Sequence, residues 1–113
     1  MKYQYTGLEV AIIGMSGRFP GANNINEFWE NLKKCKETIS FFNNEELLKE
    51  GENINVINNP NYVKAKGIIN NSEYFDPYVF DYIPTEVELM DPQIRVLHEC
   101  IWEAFEDAGY APN

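Results

Sequence analysis

The chain has 113 residues, enough for one small domain, and its 44% apolar and 24% charged residues are typical of a folded soluble protein. Its formal charge of −9 repels phosphate backbones and argues against nucleic-acid binding. The sequence contains neither the run of about 20 apolar residues that a membrane span needs nor the apolar core of a signal peptide, so we expect a cytoplasmic protein with no membrane partner.

The first half of the sequence predicts a linker, a strand and a helix. Residues 1–8 are expected to be a linker or extension. Val10–Met15 is apolar at successive positions and ends near a glycine loop, which predicts a strand covered on both faces. Asn24 is a good N-cap with Glu27 three residues later, so a helix should start here, with an apolar face that runs on to Ile39.

The middle of the sequence predicts short elements. A helix is expected at Glu45–Glu50, capped by Asn43. Residues 51–61 are polar and rich in asparagine, which indicates a surface loop. Residues 62–69 alternate sufficiently for a second strand, and another short helix should span Pro84–Met90.

The last helix has the clearest boundaries. Asp91 is its N-cap and Pro92 its first residue, Gly109 ends it, and Pro112 prevents its continuation. Its carboxylates fall mostly on faces that we expect to be solvated. Arg95 should pair with a carboxylate one turn away or, if buried, tie this helix to a neighbouring segment.

One strand buried on both faces requires neighbouring strands that the chain does not supply in sufficient number. The order of elements therefore predicts the first part of a larger α/β domain. Trp29 and Trp102 lie on the apolar stripes of their helices, so we expect both in the core.

No motif in the sequence predicts a catalytic or metal site. Cys35 and Cys100 match neither a CxxC motif nor a zinc-ligand spacing, and both are expected to be reduced. His98 is the only histidine and has no evident nucleophile to pair with. Gly14–Gly17 follows the predicted strand but lacks the GxGxxG and P-loop spacings, so a Rossmann nucleotide binder is a poor alternative.

Several ordered blocks run from about Leu8 to the end of the chain. They are Val10–Ala22, Glu27–Leu32, Phe75–Pro77 with Pro84, Glu86 and Glu88, and Met90–Gln93 followed by Arg95, Glu99, Trp102–Ala104 and Glu106–Tyr110. Together these blocks resemble the ketosynthase domains of modular polyketide synthases. Two positions depart from the pattern. Ile83 stands where a serine usually caps the short helix, which should therefore start less firmly, and Ile94 stands where glutamine is common.

The resemblance implies an α/β fold in which residues 9–113 are the N-terminal portion of a thiolase-like domain, with an incomplete sheet and packed helices. The implied reaction is a decarboxylative Claisen condensation of acyl and malonyl carrier-protein thioesters. The family's nucleophilic cysteine and two catalytic histidines belong to motifs further along, and Cys35, Cys100 and His98 match none of them. We therefore expect the segment to be structural and inactive alone, with no catalytic, cofactor-binding or metal-binding residue.

The resemblance also implies partners. These are the remainder of the ketosynthase domain, an acyl carrier protein that carries the phosphopantetheine, and a second copy in a homodimer. The acidic charge disfavours an acidic carrier protein, because the only dense basic patch is formed by Lys33, Lys34 and Lys36. The alternative function is a non-catalytic interaction piece, or one part of a module split between polypeptides.

Overall fold

The computed structural model describes residues 6–111, and the chain divides into two compact units. The terminal unit combines Met1–Gly17 with Glu73–Asn113, and the central unit is Arg18–Ser72. The first five residues of the predicted linker and the predicted stop at Pro112 lie outside the described residues.

The central unit begins with helix α1, Ile25–Lys33. The side chain of Asn24 accepts a hydrogen bond from the backbone N–H of Glu27 at 2.9 Å, which confirms the predicted N-cap. The carboxylate of Glu27 accepts from the N–H of Asn23 at 2.8 Å, one residue before the expected partner. The helix ends well before its apolar pattern does, because the backbone turns into the left-handed region at Cys35, where φ is 49°.

Two short helices follow. Helix α2, Asn44–Lys49, starts at the predicted N-cap, Asn43, and its capping box with Glu46 is complete. Helix α3, Ile54–Ile57, lies within residues 51–61, so the prediction of a surface loop there was wrong for these four residues. This single turn packs against α2 and buries Ile57, which is 1% exposed.

A two-stranded antiparallel sheet joins distant parts of the central unit. Strand β1, Ser40–Phe41, pairs with strand β2, Ala65–Lys66, with Ser40 opposite Lys66. The predicted strand over residues 62–69 is confirmed at these two central positions. Its partner at Ser40–Phe41 was not predicted, because nothing in the local pattern after Ile39 specifies pairing with a segment more than 20 residues away.

The central unit has its own small core. Its buried apolar residues are Ala22, Leu47 and Ile57. Phe19 stacks on Phe28 with ring centroids 4.1 Å apart. Trp29, in contrast, is 58% exposed, so the prediction that it is a core residue was wrong for this chain.

The longest helix among the described residues is α5, Pro92–Asp107, which belongs to the terminal unit. The side chain of Asp91 accepts from the N–H of Gln93 at 2.8 Å, as expected for an N-cap. Gly109 adopts a φ of 80° just beyond the helix, which confirms the predicted stop. Trp102 is half-buried on this helix rather than fully enclosed.

Helix α4, Pro84–Leu89, precedes α5 and confirms the predicted short helix. Its N-cap residue, Ile83, has no side-chain acceptor, and no side chain caps the helix. Only half of a capping box remains, since the N–H of Ile83 donates to Glu86 at 3.2 Å. This agrees with the expectation that isoleucine at this position weakens the start of the helix.

The predicted strand at Val10–Met15 is absent from this structure. No described residue forms a β-ladder with it, and Val10 and Ile12 are 91% and 80% exposed. The prediction was wrong for the chain on its own because the hydrogen-bonding edges of a strand need a neighbour, and no described strand lies beside this segment.

Candidate docking face

The segment that was predicted as a strand approaches α5 through a glycine. A Cβ atom built on Gly14 would lie 2.5 Å from the carbonyl oxygen of Ala104 and 2.8 Å from the Cβ of Ala108. No larger residue fits at this distance without a shift of the backbone. The role of Gly14 in this structure is therefore the close packing of segment and helix, with no phosphate-binding turn needed to explain it.

Two carboxylates of α5 hold the loop that follows Gly14. The backbone N–H of Met15 donates to Asp107 Oδ2 at 2.9 Å, and the hydroxyl of Ser16 donates to Glu103 Oε2 at 2.6 Å. Glu103 and Asp107 are one turn apart, so both face the same loop. These carboxylates were expected on solvated faces. Sequence reasoning missed this role because the acceptors and donors are about 90 residues apart.

An open apolar groove of about 650 Å³ lies between this segment and α5. Its lining combines Ala11–Gly14 with Ile101, Phe105 and Tyr110. We call these residues the α5 face. They remain largely exposed, and the backbone of Val10–Gly14 makes no hydrogen bond to any other residue within 6–111. The α5 face therefore presents both apolar side chains and unpaired backbone groups, the features of a surface that another strand or helix covers.

His98 belongs to an aromatic cluster that packs on α5. Its Nε2 lies 2.9 Å from the hydroxyl of Tyr82, and its ring contacts Phe75 and Phe80, which stack on each other at 4.8 Å. Trp102 meets Phe80 edge to face at 5.9 Å. These contacts account for His98 as a packing residue that is hydrogen-bonded to a tyrosine.

Arg95 ties α5 to the segment before α4. Its guanidinium donates to the carbonyl oxygen of Glu73 at 3.2 Å, as expected for the buried alternative, and its Nε is buried without a hydrogen-bond partner. The guanidinium thus fixes the start of the aromatic cluster to the helix.

The two cysteines are free thiols in different surroundings. Cys35 is exposed just after α1, and Cys100 is half-buried on α5. Among residues 6–111 no group of three His, Cys, Asp or Glu side chains is placed to hold a metal ion. Within the same range no helix combines the length and hydrophobicity of a membrane span.

The basic patch of the central unit is partly neutralised. The ammonium groups of Lys33 and Lys34 both pair with the carboxylate of Glu30, the second at 3.7 Å. Such exposed pairs contribute little to stability. They nevertheless reduce the positive charge that Lys33, Lys34 and Lys36 can offer to an acidic partner.

Comparison with known proteins places these features in a family context. A family model for the N-terminal domain of beta-ketoacyl synthases matches residues 8–113. Polyketide synthase PksN of Bacillus subtilis is 46% identical over 101 residues, which are 89% of this chain and 2% of the relative. Polyketide synthase PksM of the same species is 44% identical over 108 residues, which are 95% of this chain and again 2% of the relative.

Solved ketosynthases have the same fold over most of the chain. Ketosynthase twelve from the bacillaene polyketide synthase of Bacillus amyloliquefaciens matches with a TM-score of 0.77 and 46% identity, over 88% of this chain and 18% of that one. The ketosynthase from module 1 of the bacillaene synthase of the same species matches with a TM-score of 0.71 and 45% identity, over 88% and 17%. The chain therefore spans under a fifth of the solved ketosynthases, and the thiolase-like fold class is confirmed.

Proposed function

The chain belongs to the beta-ketoacyl synthase family, as its N-terminal domain, and from this premise we propose that it is a structural part of a polyketide ketosynthase. The whole enzyme would transfer an acyl group from a carrier-protein thioester to a cysteine thiol. A malonyl thioester would then lose carbon dioxide, and the resulting carbanion would attack the acyl group and release the cysteine.

The α5 face is the observation that carries this proposal. Burial of side chains such as Ile101 and Phe105 is worth about 1.5–3 kcal/mol each, and this stabilisation is not realised while the face is open. The unpaired backbone of Val10–Gly14 likewise has hydrogen-bonding capacity for a neighbouring strand. A surface of this kind is what a ketosynthase would cover with the rest of its domain.

None of the candidate chemical groups is assigned a step in the condensation. His98 packs with Tyr82, Cys100 lies on a helix, and Cys35 follows the left-handed turn after α1. In the proposed enzyme the phosphopantetheine is carried by an acyl carrier protein, so residues 9–113 need no cofactor of their own. A homodimeric, cytoplasmic enzyme completes the proposal.

A chimeric ketosynthase tests this function. Residues 8–111 would replace the matching segment of ketosynthase twelve from the bacillaene synthase, whose own cysteine is kept. Incubation with an acyl thioester, followed by intact-mass measurement, should show one acyl group on the chimera and none on the isolated chain. A stable adduct on Cys35 or Cys100 that reacts onward with a malonyl carrier protein would refute the structural role.

Sedimentation of the isolated chain distinguishes the proposed function from the alternative, a free-standing interaction piece. With the α5 face open, the apparent mass should rise with concentration, since exposed apolar patches associate. The −9 charge opposes association only within a reach of about 8 Å at physiological salt. A monomer that melts cooperatively at all concentrations would favour the interaction piece.

A further inference from the structure

We draw no further inference here: the strongest candidate, the open groove of about 760 Å³ that Phe80, Tyr82, His98 and Trp102 line beside α5, carries none because nothing in the structure shows what covers it in a chain that spans under a fifth of the solved ketosynthases.

Discussion

The central and terminal units have similar lengths but differ in how much apolar surface they bury and in their net charge. Of the four buried apolar residues within 6–111, the central unit contains three, together with a two-stranded sheet and balanced charge. The described part of the terminal unit buries only Val87, exposes the α5 face and belongs to the unit that holds the entire net negative charge. The difference indicates that the central unit forms its core from its own residues, whereas the terminal unit leaves the apolar α5 face exposed.

The largest expected effect is on the core of the central unit. Ile57→Ala should lower the free energy of unfolding of this unit by about 2–5 kcal/mol, because it removes a fully buried side chain between α3 and α2. Hydrogen exchange of the α2 amides would report the loss. Ile54→Ala, on the same turn but 46% exposed, is the control. Equal effects of the two variants would show that the burial of Ile57 does not stabilise the central unit.

A smaller effect is expected from a substitution at Gly14, where the backbone packs closely against α5. Gly14→Val should cost about 1–3 kcal/mol, since its side chain collides with the backbone of α5 at Ala104. The measurement is acyl loading and thermal unfolding of the chimeric ketosynthase, where the face is covered. Gly51→Ala is a poor control because its φ is 89°, so Glu52→Ala, at an exposed loop position, serves instead. Normal stability of Gly14→Val would mean that segment and helix separate in the complete domain.

The smallest effect concerns the turn before the predicted strand. Hydrogen bonds from the backbone N–H of Thr6, then from its hydroxyl and from Gly7, lower the pKa of Glu9 to about 2. A lowered pKa means that this turn is stabilised above the ordinary carboxyl value of 4.5 and loses that stabilisation as the pH falls towards 2. Carbon-detected NMR titration of Glu9 should follow this range, and Thr6→Ala should move the midpoint upwards.

An unchanged midpoint in Thr6→Ala would show that the threonine hydroxyl does not contribute to the lowered pKa. Because Glu9 is exposed, Thr6→Ala itself should leave the global stability of the terminal unit unchanged at neutral pH.

Helix boundaries were predictable because their determinants are local. The caps of α1, α2 and α5 each involve an Asn or Asp and a backbone N–H two or three residues away. The weak start of α4 was predictable for the same reason, since Ile83 offers no acceptor. Helix α3 was missed because one turn of four residues has almost no periodic pattern, and its burial depends on contact with α2.

The candidate site was predictable only in part. An apolar run at Val10–Met15 and a broad apolar stripe on the last helix could be recognised. The pairing of Met15 with Asp107 and of Ser16 with Glu103 could not, because hydrogen bonds between residues about 90 positions apart leave no local pattern. The exposure of Trp29 could not be predicted either, because an apolar helix face does not show whether another part of the protein packs against it.

The sequence by itself determined the helices other than α3, the caps of α1, α2 and α5, and the ketosynthase family, because these features depend on short-range motifs that can be recognised without knowledge of the packing. Only the tertiary structure decided that the strand-like segment stands unpaired, that Gly14 is required by the approach of α5, and that β1 pairs with β2. The physical reason is that these features depend on which distant groups come within contact distance. A residue pattern specifies what a side chain prefers to contact, whereas the folded chain determines whether that contact is available.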